Sequence, residues 1–265
     1  MAPTYVAGIG VWSPILSSWQ ACRGRFLGAA PPPSENKLPP ADWLPAVERR
    51  RATLSTRVVL SVTKEALTYA GWQPAELPTV FASSSGSPDI TNELCTALAA
   101  GDTQISPTRF HNSVHNAAAG YYSIAVACHA SSMTLGAYNG SAAAGLLESN
   151  VLIAAEATPA LFVAFDVPYT GPLAAIRPIA DPFGVALALA PEPAAGQVAQ
   201  VTVERHARQD RPASVCSDPE LEYVRLNNPS ARLLPLLEAL ARAEPAQIVL
   251  GMERGAQLVV DVKPC

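Results

Sequence analysis

Phe110–Glu148, FHNSVHNAAAGYYSIAVACHASSMTLGAYNGSAAAGLLE, is the stretch whose reading decides the fold. Tyr121–Ala127 reads as a helix and Met133–Ala137 as a short apolar strand, and Ala142–Leu147 is a second helix built from small residues. Gly136-Ala137-Tyr138-Asn139-Gly140-Ser141 joins that strand to the second helix. So short a connection must turn sharply, and Gly140 beside Asn139, a residue that tolerates left-handed backbone, suits a strained turn.

Outward from this stretch, strand and helix signals alternate. Tyr5–Val11 reads as a strand closed by Ser13-Pro14, Trp19–Leu27 as a short helix, and the proline-dense segment Ala29–Pro45 as an irregular loop. Arg49–Ala70 carries apolar residues at helical spacing and ends at Gly71, a C-cap. Pro78–Ala82 is a second strand, Asp89–Leu98 a helix and Asp102–Thr108 a connection. Val151–Ala155 reads as a buried strand, followed by a loop holding Pro159, Pro168, Pro172 and Pro178. Val185–Ala190 is a strand, and Gln197–Arg205 alternates so that Ala199, Val201 and Val203 share one face. Leu234–Ala243 is an amphipathic helix with Pro235 in its first turn, and Ile248–Gly251 and Leu258–Val262 are closing strands. This alternation predicts a largely parallel α/β sheet.

The 265 residues can bury a large core, of which 49% hydrophobic and only 15% charged residues are the raw material. A net charge of −4 gives no electrostatic case for nucleic acid or an anionic membrane. Five widely spaced cysteines without a CxxC pair argue against a disulfide framework or a zinc site, and predict buried free thiols in a reducing cytosol. The N-terminus lacks the features of a secretory signal, and Val151–Phe165 is too short and too interrupted to span a bilayer, so the expected location is cytoplasmic.

Several motifs offer chemistry. Cys128-His129 suggests a nucleophile and base, but adjacent side chains diverge, and a structural cysteine competes with that reading. His111 and His115 are four apart and can share a helical face as metal ligands, although no third ligand lies nearby in sequence. Ser83-Ser84-Ser85-Gly86 lacks the Gly-x-Ser-x-Gly elbow of a hydrolase, and Gly8-Ile9-Gly10 lacks the third glycine of a dinucleotide fingerprint, so no cofactor is expected.

Asn116, Ala119 and Gly120 resemble the Asn-x-x-Ala-Gly turn of β-ketoacyl synthases, Tyr121–Ala127 the following helix, and Met133–Ala137 the strand before the reactive cysteine. Gly8–Pro14 and Phe81–Gly86 resemble the family's first two strands with their turns, and Glu148–Ala157 the strand after the nucleophile helix. Arg177-Pro178 with Asp181–Gly184 is similar to the Arg-Pro-Phe-Asp segment. The resemblance implies an α/β, thiolase-like (ketosynthase) layered αβαβα fold, as one domain over 1–265, with a ketosynthase-like half over 1–190 and an abbreviated C-terminal half over 191–265. Counted from Ala119-Gly120, the nucleophile position falls on Asn139, and an amide cannot act as the thiolate that condensation needs. Only His206 follows residue 130, and neither histidine motif of a condensing enzyme surrounds it.

A dead elbow on this scaffold resembles the chain length factors, which pair with an active ketosynthase and shape its acyl tunnel. Phe110–Asn116 with Ala119-Gly120-Tyr121 resembles the short chain length factors of aryl polyene pathways. That resemblance implies no catalytic residue in this chain and no cofactor or metal. It implies an active β-ketoacyl synthase as partner, in a heterodimer or heterotetramer, with an acyl carrier protein visiting the complex. The implied tunnel and interface residues are Phe110, His111, Val114, His115, Asn116, Tyr121, Tyr122, Met133 and Leu135. Two other readings stay open: a stand-alone acyltransferase or thioesterase using Cys128, and a homodimeric acyl-binding scaffold.

Overall fold

The computed structural model describes residues 2–30, 36–38, 40–193, 196–208 and 210–265; part of the expected proline-dense loop (31–35 and 39) lies outside them. In chain order the elements are β1 (Thr4–Trp12), α1 (Trp19–Phe26), α2 (Ala46–Arg49), α3 (Leu54–Ala70), β2 (Thr79–Ala82), α4 (Pro88–Ala99), α5 (Pro107–Ser113), α6 (Ala117–Val126), β3 (Ser132–Leu135), α7 (Ser141–Glu156), β4 (Ala160–Asp166), α8 (Pro172–Ile176), β5 (Phe183–Ala190), β6 (Ala199–His206), α9 (Pro219–Asn227), α10 (Leu234–Arg242), β7 (Ala246–Gly251) and β8 (Gln257–Pro264).

The eight strands form one sheet in the order β3-β2-β4-β5-β1-β6-β8-β7. Only β2 pairs in parallel, with β3 and with β4, and the remaining neighbours are antiparallel. The largely parallel sheet expected from alternation is therefore corrected. β1 runs opposite to both of its neighbours, β5 and β6, and β8 opposite to both β6 and β7, a strand direction that a count of strands and helices cannot give.

The strands of both halves close over two apolar cores. Phe162 and Ala164 of β4 meet α1, α7 and α10 on one face, where Val201, Val203, Val260 and Val262 of the C-terminal strands join them. Leu161, Val163 and Phe165, one residue out of phase, meet α3 and α6 on the other. α3 lies directly on β1: a Cβ at Gly8 would stand 2.2 Å from the Ala66 carbonyl oxygen, and one at Gly10 2.0 Å from that of Val62. Val58, Val59 and Val62 are fully buried there, each contributing about 1.5–3 kcal/mol. Glu65 on the same helix accepts from the backbone N–H groups of Val11 (2.9 Å) and Trp19 (2.6 Å), and its burial raises its pKa.

Further boundaries depart from expectation. Val151–Ala155 is not a strand: α7 runs unbroken to Glu156, burying Ala142, Leu146, Ser149, Asn150 and Ile153 at helical spacing. It stops at Ala157 in the left-handed conformation (φ 52°), without the glycine that normally marks such a stop. The strand is Ala160–Asp166, buried at every position, inside the segment expected to be loop; Glu148–Ala157 accordingly does not match the family's post-nucleophile strand. The helix expected from Arg49 begins at Leu54, where Thr53 caps it by accepting from the Thr56 N–H. Ala119 and Gly120 belong to α6 and not to a turn, α5 begins inside the expected connection Asp102–Thr108, and α9 forms where no element was expected.

Candidate functional site

β3 is one edge of the sheet, held by β2 alone through pairs such as Val80 with Met133 and Phe81 with Thr134. The other edge, β7, is covered: Ser214 donates its N–H to the Val249 carbonyl at 2.9 Å and accepts the Val249 N–H on its hydroxyl at 2.9 Å. Among the described residues no such cover protects β3, and Met133 is 44% exposed.

From β3 the chain enters the elbow. Ala137 donates its N–H to the Ser141 hydroxyl at 2.9 Å, and that hydroxyl donates to the Tyr138 carbonyl at 2.8 Å. A short 3-10 turn, Tyr138–Gly140, leads into α7. Tyr138 has φ 48°, the strained left-handed region that a bulky residue rarely adopts. The strained apex is thus Tyr138, one residue before the expected Asn139. Gly140 is needed for close approach, since a Cβ there would lie 3.0 Å from Met252 Cα and from the Glu253 backbone nitrogen.

The apex carries a capped side chain instead of a free one. The Arg177 guanidinium carbon lies 3.5 Å from the centroid of the Tyr138 ring, and Nη2 reaches the Asn139 Oδ1 at 3.4 Å. Arg177 Nε and Nη1 are buried and have no partner among the described residues. The stack is worth about 0.5–1 kcal/mol at an exposed site, whereas each unpaired buried donor costs about 1–3 kcal/mol. Arg177 is therefore not satisfied by its present neighbours. Burial first, then the charges of Arg225 and Arg177, lower the Arg232 pKa, so this second arginine stands within electrostatic reach, while Glu253 acts in the opposite direction.

Beneath the elbow, Asp166 ends β4 with no exposure. It accepts from the Ser84 N–H (2.8 Å), the Ser84 hydroxyl (2.6 Å), the Ser83 hydroxyl (3.3 Å) and the Ser230 hydroxyl (2.6 Å). Burial raises its pKa, and the hydrogen bonds pull in the opposite direction. His115 is joined to the same layer: its Nε2 lies 3.0 Å from the Ser83 carbonyl, which can only accept, so Nε2 carries the proton.

The expected site residues separate into three groups by depth. Phe110 (64% exposed), His111, Val114, Asn116 and Met133 lie on the surface. His115 and Leu135 are half-buried, and Tyr121 and Tyr122 are buried in the core under α6, with burial raising the Tyr122 pKa. His115, Asn116, Gly120, Ser123, Ser132 and Thr134 line a polar groove of about 460 Å³ between α6 and β3. His111 and His115 do not share a helical face, because α5 ends at Ser113 and Val114 is extended; His111 meets the Tyr121 ring edge-on at 6.0 Å. Two of the five thiols, Cys95 and Cys265, are exposed, against the expectation that all are buried. Cys128 is buried with its thiol 3.6 Å from the Leu77 carbonyl, and His129 beside it is exposed. Cys216 is pushed up to about 12 by burial, a protonated structural thiol. Sequence reasoning missed Tyr138 as the apex, Asp166, Ser230, and the exposed apolar pair Leu173 and Ile176 on α8. No local signal announces a tyrosine at positive φ.

A strand, a strained elbow and a small-residue helix on this mixed sheet define the thiolase-like ketosynthase fold. The family described as beta-ketoacyl synthase, N-terminal domain, matches residues 18–243, and the chain belongs to that family. Comparison with curated proteins gave no match. Among solved structures, a ketosynthase (ApeO) in complex with its chain length factor (ApeC) from Xenorhabdus doucetiae is 21% identical with a TM-score of 0.71, covering 98% of this chain and 100% of the other. The ishigamide ketosynthase/chain length factor is 14% identical at TM-score 0.74, covering 100% and 99%. The complex AntDE:AntF, a type II polyketide synthase carrier protein with its ketosynthase bound to the hexaketide, is 12% identical at 0.76, again covering 100% and 99%. At these identities the likeness concerns the fold.

Proposed function

We propose that this chain is a non-catalytic, ketosynthase-like chain length factor of an aryl polyene or related type II pathway. The observation that carries the reading is the elbow: its apex is Tyr138, followed by Asn139, and neither can supply a thiolate. The imidazole beside the turn, that of His115, lies against Gly136 and is held by the Ser83 carbonyl, and His206 lies in β6 beside Glu204.

The partner is an active β-ketoacyl synthase, which supplies the cysteine and histidines and receives the acyl carrier protein. The open edge of β3 supports pairing across a two-fold axis, and exposed Met133, Phe110 and Val114 supply an apolar flank to that contact. On this reading Phe110, His111, Val114, His115, Asn116, Met133 and Leu135 belong to the interface and the tunnel wall. Tyr121 and Tyr122 support that wall from beneath. The chain works as one thiolase-like domain, with residues 1–190 as the ketosynthase-like half and 191–265 as the reduced half, in the cytosol. Among the described residues no helix is long and apolar enough to cross a membrane.

A stand-alone enzyme using Cys128 is less well supported, because its thiol is buried. Co-expression with a cysteine-bearing ketosynthase encoded beside it, followed by native mass spectrometry, tests the proposal. A one-to-one complex is expected, and recovery only as monomer or homodimer overturns it.

A further inference from the structure

We infer that Arg177, stacked on Tyr138, is the receptor for a carboxylate side chain that the partner subunit inserts on assembly. The inference rests on the paired-subunit reading and goes beyond it by assigning the contact that secures the elbow.

Three observations together lead to an anion. Arg177 has two buried donors without acceptors, in a guanidinium whose fork geometry suits a carboxylate. Neither Arg177 nor Arg232 forms an ion pair among the described residues, although Arg225 nearby is fully engaged by Glu222 at 2.6 Å. Burial and the neighbouring arginine charges act against the charged form of Arg232, a repulsion that an incoming anion would relieve. Among the described residues Glu253, within electrostatic reach of Arg232, makes no ion pair with either arginine.

The surroundings fit a protein partner better than a free small anion. Arg177 follows α8, whose Ile176 is 79% exposed and whose Leu173 is 42% exposed, and the covering Tyr138 ring is 56% exposed. Tyrosine and arginine within an apolar rim are the composition of an interface anchor. The elbow also continues directly from β3, whose open edge is the proposed seam. Docking needs only side-chain movement, such as a swing of the Tyr138 ring, which is the common scale of change at interfaces.

The test measures affinity between this chain and its ketosynthase for wild type, Arg177→Met, Arg177→Lys and Arg232→Met, at two salt concentrations. Circular dichroism confirms that each variant is folded. Truncating one member of an interfacial charge pair is expected to weaken binding about tenfold or more and to flatten its salt dependence. Arg177→Lys, which keeps the charge but not the fork, should fall between. A wild-type complex whose affinity and salt dependence are unchanged in both methionine variants overturns the inference while leaving the paired-subunit reading intact. Failure of the wild-type complex to form overturns both. If acetate raises the melting temperature of the isolated chain, Arg177→Met abolishes that rise, and complex affinity is unchanged, the site serves a free carboxylate and the partner assignment is wrong.

Discussion

Ser230 donates its hydroxyl to the buried Asp166 carboxylate at 2.6 Å, across 64 positions of sequence. That bond fastens the turn before α10 to the end of β4. Asn228 reinforces it by donating to the Asp166 carbonyl at 3.2 Å and the Asp181 carbonyl at 2.8 Å. The segment before α10 is thus tied to the N-terminal strands by polar contacts within an apolar interior.

Asp166 should give the protein a measurable pH dependence. Its folded pKa is raised above the unfolded value of about 3.9, so between those two values the native state binds more protons than the unfolded chain. Stability therefore falls as pH rises through that window and is flat above the folded pKa. Urea titrations across the acidic range should show this slope for wild type and its loss in Asp166→Asn. Asp166→Ala, which strands the Ser84 and Ser230 donors, should cost about 2–4 kcal/mol.

Gly10→Ala tests the contact between α3 and β1. The added methyl would lie 2.0 Å from the Val62 carbonyl oxygen, a backbone atom, with no flexible side chain to give way. A loss of about 2–3 kcal/mol or more is expected by chemical denaturation. Gly120→Ala is the control, since a Cβ there meets nothing within 4 Å.

Restoring a thiol at the elbow should not restore chemistry. Tyr138→Cys and Asn139→Cys each place sulfur at the turn, but the imidazole beside it, His115 against Gly136, already spends its Nε2 proton on the Ser83 carbonyl. Assays with acyl- and malonyl-carrier substrates should give no condensation from the isolated variant. Condensation at partner-like rates would overturn the non-catalytic reading.

Met133→Lys separates stability from assembly. Met133 is 44% exposed on the open strand, so the isolated chain should change by less than about 0.5 kcal/mol. The complex should weaken by an order of magnitude or more, because the charge would be buried at the seam. Phe110→Ala asks about the tunnel: a longer product is expected if its ring limits growth, and an unchanged distribution removes it from the wall.

Elements whose burial follows a simple period were legible in sequence. β6 shows the alternation of Ala199, Val201 and Val203, and α10 carries its leucines and Pro235 as expected. The region around residue 155 was not legible, because Val151-Leu152-Ile153 has strand-like composition but continues a helix whose preceding turns already bury one face. The true strand sat between Pro159 and Pro168, and prolines there mark the ends of β4 where they suggested loop. The sharp elbow was legible, but its apex was not: Asn139 has the composition of a left-handed residue, and tertiary contacts from Arg177 and Ser141 place that conformation on Tyr138. The pairing of Arg177 with the elbow spans 39 positions and rests on folding alone.

The unequal edges of the sheet limit how these molecules can add to one another. Ser214 closes the β7 side, which leaves β3 as the exposed template for another strand. A molecule with one open edge can be extended once: after β3 is joined, the assembly presents two sealed ends and growth stops. The fold thereby resists the stacking of strand upon strand that leads to fibres, while leaving one position at which a partner of the right shape can be accepted.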